Sequence, residues 1–354
     1  MSRFFSEKYK DLKPYVPGEQ PRDRRYIKLN TNESPFPPSP KAVAYASAAA
    51  ENLQLYSDPT CTAIKAKIAD CKGVKPEQVF FGNGSDEVLY CAFLAFCDKE
   101  TGAIFPDISY GFYKVFAQFT GIAYTQIPLE ADFSIAIEPY FNAGKTVVIA
   151  NPNAPTGKLL PLGKIEKLLQ ENPNNVVIID EAYIDFGGES AISLINRYEN
   201  LLVTQTFSKS RSLAGGRLGM AFGNEKLIAD LLSVKYSLNP YNVNSMTMAA
   251  GLGALEDEEY TRRNCATVAK NRLYTTVALR EMGFTVLDSA ANFVLAAHPR
   301  ISGGALYSKL KDRGILVRYF DTDRLAPYVR ITIGAEQEME SLHKAISEIL
   351  EEGQ

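Results

Sequence analysis

Residues Leu201 to Gly219 read LLVTQTFSKSRSLAGGRLG. The apolar run Leu201-Leu202-Val203 opens a strand over 201–206 with no polar alternation at its start, as expected of a strand buried on both faces. Thr206, Ser208 and Lys209 then stand at the carboxyl end of that strand and in the loop after it, where open α/β sheets bind their ligands. One lysine among hydroxyls and glycines, with Arg217 eight residues on, has the ingredients of an anion-holding site with a single reactive amine. A solvated loop is the ordinary alternative for a Ser-Lys pair in a chain with 38 basic residues, so the decision has to come from the rest of the sequence.

Upstream, similar runs recur at 79–81, 103–105, 146–150 and 176–179, separated by amphipathic segments near 86–97, 110–120 and 161–170. Strands that alternate with helices and are apolar throughout predict a mainly parallel sheet covered on both faces. Before them, the stretch from Tyr15 to Pro38 is rich in proline and asparagine and reads as an extended arm with turns. Ser39-Pro40 opens an alanine-rich helix to about residue 53, and a second helix follows over about 60–71. Past Asn224 the pattern turns helical, with a segment over about 257–282 long enough to bridge two domains. Strands at 283–286, 293–297, 314–317 and 329–333, a helix near 304–312 and a terminal helix over 336–351 read as a smaller α+β domain. At 354 residues the chain exceeds what one core usually holds, so the expected division is an arm over 1–38, a large domain over 39–255 and a small one over 256–354.

Composition removes several classes. With 46% apolar and 22% charged residues, the chain is neither disordered, collagen-like nor a coiled coil. A net charge of −3 offers no bulk attraction to nucleic acid or to an anionic membrane. No apolar segment approaches the roughly 18 residues of a membrane span, and Met1 to Lys13 lacks the apolar centre of a secretory signal, so a cytoplasmic location is expected. Cys61, Cys71, Cys91, Cys97 and Cys265 are odd in number and show no Cys-x-x-Cys spacing, which reads as reduced thiols; with only His298 and His343, no metal site is expected.

Three more motifs follow strands. Gly82-Asn83-Gly84-Ser85-Asp86 leads into a helix; glycines let backbone approach a ligand and free amides favour an anion, so the pattern suits a phosphate. It is neither a P-loop nor a dinucleotide fingerprint, because the Gly-Lys-Ser/Thr ending and the third glycine are missing. Asn151-Pro152-Asn153-Ala154-Pro155-Thr156-Gly157 follows the run at 146–150, and Asp180-Glu181-Ala182-Tyr183 follows that at 176–179. Taken singly these are a capped turn, a Pro/Gly turn and a helix cap. Yet a carboxylate at the end of a buried strand needs a cation or a donor, and Asp180 asks for one.

In this order the motifs resemble those of the fold type I aminotransferases that use pyridoxal 5′-phosphate, over nearly the whole chain. Within that superfamily, Leu12-x-Pro14-Tyr15-x-Pro17-Gly18, Leu29-x-x-Asn32-Glu33-Ser34-Pro35, Asp180-Glu181-Ala182-Tyr183, Pro240-Tyr241-Asn242-Val243-Asn244 and Val329-Arg330-Ile331-Thr332-Ile333-Gly334 are similar to the histidinol-phosphate aminotransferase family. That resemblance implies a mainly parallel seven-stranded sheet in the large domain. It also implies transfer of an amino group between L-histidinol phosphate and 2-oxoglutarate, in histidine biosynthesis, by a homodimer with shared sites.

The resemblance assigns roles as well. Lys209 would hold the cofactor covalently and move the substrate proton, Asp180 would face the pyridine nitrogen, and Tyr183 would donate to the phenolic oxygen. Tyr110 would stack on the ring; Gly84, Ser85, Asp86, Thr206, Ser208 and Arg217 would hold the phosphate, and Tyr56 would reach the phosphate in the partner subunit. Arg330 and Arg318 would read the anionic groups of the substrates, with Tyr15, Asn32 and Asn292 as further pocket residues. The chain departs from the pattern of the families it resembles at Ala154, where many members carry an asparagine that donates to the phenolic oxygen; either Asn153 would take over or Tyr183 would serve alone. An aromatic amino acid aminotransferase and a threonine-phosphate decarboxylase remain alternatives inside the superfamily. A dinucleotide-binding dehydrogenase or a binding module would leave Asp180 and Lys209 without a shared purpose.

Overall fold

The computed structural model describes residues 2–10, 12 and 14–352. From the amino terminus, β1 (Ile27–Lys28), α1 (Pro40–Ala49) and α2 (Thr62–Lys72) precede the alternation β2 (Val79–Asn83), α3 (Gly84–Phe96), β3 (Ala103–Pro106), α4 (Phe112–Thr120), β4 (Tyr124–Ile127), β5 (Thr146–Ala150), α5 (Leu162–Gln170), β6 (Val177–Asp180), β7 (Leu201–Thr206) and β8 (Leu218–Gly223). Three helices follow, α6 (Glu225–Leu238), α7 (Ser245–Leu255) and α8 (Glu258–Glu281). The remainder is β9 (Thr285–Val286), β10 (Phe293–Ala297), α9 (Gly303–Asp312), β11 (Ile315–Leu316), β12 (Arg318–Tyr319), β13 (Tyr328–Thr332) and α10 (Glu336–Glu351).

Seven strands form one sheet in the order β2-β8-β7-β6-β5-β3-β4, in which β8 alone runs against the others. Successive side chains of a strand point to opposite faces, and both faces are covered. Val147, Ile149, Val177, Ile179, Leu201 and Val203 enter one apolar cluster, whereas Val148, Ile178 and Leu202 enter another with Val88, Leu89 and Phe93 of α3. This double burial is why these strands are apolar throughout, and each fully buried Val, Leu or Ile contributes about 1.5–3 kcal/mol.

A four-stranded antiparallel sheet, β12-β13-β10-β9, carries its own cluster with α8, α9 and α10. The arm is sewn to this part of the chain: β1 pairs in parallel with β11, and Thr332 N donates to Leu29 O at 3.0 Å. Ser39 caps α1 by accepting from Ala42 N, with Pro40 in the first turn, as its sequence predicts.

Two strands of the large sheet differ from the sequence expectation. β8 has no counterpart among the expected strands, because Gly219 and Gly223 interrupt an otherwise apolar stretch. β4 is only half buried at every position, an edge strand with no apolar run to announce it.

Candidate active site

Register brings the strand ends side by side: Ala150 lies opposite Asp180, Asp180 opposite Thr204, Thr206 opposite Gly219 and Gly219 opposite Gly82. The segments leaving these ends enclose a cavity of about 470 Å³, lined by Ser85, Asp86, Tyr110, Asp180, Tyr183, Thr206, Ser208, Lys209 and Arg217 among others.

At its deep end Asp180 Oδ2 accepts from the Tyr113 hydroxyl at 2.7 Å and Oδ1 from Thr204 Oγ1 at 3.0 Å. Both donors are neutral, so they do not balance the buried charge, and burial pushes the carboxyl up to about 6 despite them. A positive group in the cavity beside Asp180 would remove that penalty.

The opposite end is built for an anion. α3 begins at Gly84 without a side-chain cap, which leaves its first amides and the positive end of its dipole free for a ligand. Arg217, at a positive φ of 55°, packs so close to Gly84 that a Cβ there would lie 2.4 Å from Nη2. Its Nη2 donates to Asp86 Oδ2 at 2.9 Å, and Asp86 Oδ1 accepts from the Tyr110 hydroxyl at 2.6 Å. The Asp86 carboxylate is thus committed to Arg217 and Tyr110, which leaves its main chain rather than its side chain to meet an anion. Thr206 and Ser208 add a coupled hydroxyl pair at 3.0 Å.

Lys209 stands between the two ends. Its Nζ lies 3.3 Å from Thr31 O and 5.7 Å from the centre of the Tyr183 ring. Glu33 also lines the cavity: burial pushes its carboxyl up, but hydrogen bonds from Lys28 and Thr31 outweigh this and hold it low.

A second cavity of about 590 Å³ adjoins the first and shares Thr31, Tyr110, Ala154, Tyr183 and Lys209 with it. Arg330 forms part of its far wall, with the guanidinium 5.2 Å from the Phe293 ring centre and 5.5 Å from that of Phe320. It donates to Asn30 O at 2.9 Å, and its buried Nε has no partner. Buried without a carboxylate partner among the described residues, the Arg330 guanidinium has charge to offer an anionic ligand. Arg318 lines the same cavity, donating to Val16 O at 3.2 Å and Pro17 O at 3.4 Å, and Tyr15 packs 4.4 Å from the Phe112 ring. Asn32 also lines it, with Nδ2 donating to the Tyr183 hydroxyl at 3.0 Å.

Three expected residues stand elsewhere. Asn153 is held within the protein, its Nδ2 donating to Ile108 O and Thr156 Oγ1 and its Oδ1 accepting from Ser109, and it is outside the residues lining either cavity. Asn292 is fully buried behind Asn32, outside the residues lining either cavity. Tyr56 is 83% exposed, stacked on Tyr241 away from its own chain's cavity, as its assignment to a partner's site requires.

Sequence reasoning missed Tyr113 and Thr204, the donors to Asp180. Thr204 stands two residues before Thr206 on the same strand face, and Tyr113 one helical turn after Tyr110; both spacings could have flagged them.

Residues 24–349 match the model of the family described as aminotransferase class I and II. A histidinol-phosphate aminotransferase of Brachyspira hyodysenteriae is 47% identical over 352 residues, covering 99% of both chains. One of Pseudomonas putida is 49% identical over 348 residues, covering 98% of this chain and 100% of the relative. The crystal structure of histidinol-phosphate aminotransferase from Sinorhizobium meliloti in complex with pyridoxal-5′-phosphate superposes with a TM-score of 0.90, over 99% of each chain at 23% identity, a likeness of fold.

Proposed function

The chain belongs to the aminotransferase class I and II family, and we propose that it transfers an amino group between L-histidinol phosphate and 2-oxoglutarate, giving imidazole acetol phosphate and L-glutamate. Identity of 47% and 49% over nearly full length to relatives of that name carries this reading. The donor set of the inner cavity fits pyridoxal 5′-phosphate: a carboxylate wanting a positive partner at one end, an arginine, hydroxyls and helix amides at the other, and an amine between.

When bound, pyridoxal phosphate supplies an electron sink for a breaking C–H bond. The chain's residues do the rest. Asp180 keeps a proton on the ring nitrogen, and that positive charge answers the carboxylate's burial. Arg217, Ser85, Thr206, Ser208 and the first amides of α3 take the phosphate, aided by Gly84, whose missing side chain admits the guanidinium. Tyr110 would pack against the ring, and the Tyr183 hydroxyl would donate to the phenolic oxygen. The Lys209 amine would hold the cofactor covalently until the substrate's amine displaces it, and the freed amine would carry the proton from the substrate carbon that bears nitrogen to the cofactor. Arg330, with Arg318 beside it, reads the phosphate of one substrate and a carboxylate of the other, while Tyr15 and the arm exclude water.

The proposal extends to a cytoplasmic homodimer, an arm over 1–38, and large and small domains over 39–255 and 256–354. Five unpaired cysteines are in keeping with a reducing compartment. No helix among the described residues is long and apolar enough to cross a membrane.

The substrate claim is tested by kcat/KM for L-histidinol phosphate beside L-phenylalanine and O-phospho-L-threonine, each with 2-oxoglutarate. The expected result is a preference of about 100-fold or more for histidinol phosphate, in line with two desolvated anion contacts. A preference for phenylalanine, or carbon dioxide release from phosphothreonine, contradicts it.

A further inference from the structure

We propose that Asn32, fixed by Thr332, is a positioning residue that aims the Tyr183 hydroxyl proton into the cavity. The inference rests on the reading of that cavity as a pyridoxal phosphate site.

Asn32 is 1% exposed and held at a φ of 57°, a conformation that non-glycine residues keep only where their surroundings over-determine it. The surroundings are four hydrogen bonds. Its main-chain N–H donates to Thr332 Oγ1 at 3.0 Å, and Thr332 Oγ1 in turn donates to Asn32 Oδ1 at 3.0 Å. Asn292 Nδ2 donates to Asn32 O at 3.0 Å, and Asn32 Nδ2 donates to the Tyr183 hydroxyl oxygen at 3.0 Å.

The directions follow from counting protons. The Thr332 oxygen already accepts the Asn32 amide, so its own proton is free for Oδ1. With Oδ1 accepting, the NH₂ end of the Asn32 side chain is the end that faces Tyr183. The tyrosine oxygen is therefore an acceptor on that side and must send its proton elsewhere. Among the described residues no protein group accepts it, and Tyr183 lines both cavities. The titratable groups that face Tyr183 are Lys209, Arg330 and the tyrosines Tyr110 and Tyr113. None of the four is an acceptor placed to compete. Ala154, on the shared wall, offers no side-chain donor, so the Tyr183 proton is the one this relay delivers.

A donor to an anionic oxygen stabilises the deprotonated form of a conjugated acid, and its loss raises the midpoint of titration. The test is the pH midpoint of the bound cofactor's visible absorbance, read in holoenzyme without substrate. Tyr183→Phe is expected to raise it by about one pH unit, and Asn32→Gly, which tolerates the positive φ, by a smaller amount in the same direction. The double variant should match Tyr183→Phe alone, since the relay acts only through that hydroxyl. Thr332→Val should behave as Asn32→Gly does, and Thr332→Ser should restore the wild-type midpoint. The proposal is overturned if Asn32→Gly and Thr332→Val bind cofactor with an unchanged midpoint, or if the Asn32 and Tyr183 shifts add. Wild-type protein that binds no pyridoxal phosphate would instead remove the cofactor reading itself, and this inference with it.

Discussion

Asp180 carries a charge that its neighbours do not neutralise, and that has a measurable consequence. Burial pushes its carboxyl up from an ordinary value of 3.8 to about 6 in the folded protein. Without cofactor, the folded state therefore holds a proton that the unfolded chain has released, and stability falls as pH rises from about 4 to about 6. Asp180→Asn removes the penalty while keeping the shape. Cofactor-free Asp180→Asn protein should resist urea better than wild type by about 3 kcal/mol at about pH 7.5 and by little at about pH 4, while the loaded variant loses turnover. An equal gain at both pH values would mean that charge burial is not the cause. At this scale the sequence disclosed residue types at strand ends, and so Asp180, Lys209 and Arg217. In the turn at 151–157 it is Ala154 rather than Asn153 that meets the cavity, and residue identity alone does not say which side chain of a turn points inward.

Among elements, β8 decides the phosphate end. Gly219 crosses the start of α3 so closely that a Cβ would lie 2.3 Å from Ser85 N and 2.4 Å from Gly84 C, both backbone atoms that cannot swing aside. Gly219→Ala should cost about 1–3 kcal/mol in urea unfolding and weaken cofactor binding further, because the first turn of α3 must shift. Gly163→Ala in α5, where an added Cβ meets nothing within 4 Å, should instead be neutral or stabilising by up to about 1 kcal/mol. Equal effects of the two would remove the crossing as the reason for Gly219. Apolar patterning announced β7 and α10 well, since burial of those side chains is what makes them strand and helix. It passed over β8, whose Gly219 serves this crossing, and β4, whose edge position needs no apolar run.

At the scale of the whole molecule, Leu53, Leu55 and Tyr56 are 53%, 65% and 83% exposed, and Tyr56 stacks on Tyr241. Exposed apolar side chains of this kind are what the proposed second copy would cover, and periodicity along one chain does not name that partner. Sedimentation equilibrium should give the mass of two chains. Tyr56→Phe should weaken cofactor retention by about 5- to 10-fold, the worth of one hydrogen bond to a charged group, without changing that mass. A fully active monomer would contradict the shared site. Among the described residues Lys209 is the one lysine that lines both cavities. Borohydride reduction of the holoenzyme, followed by digestion and peptide mass mapping, tests this directly. The account predicts the reduced pyridoxyl mass on Lys209 alone; the label on another lysine, or on none, would contradict it.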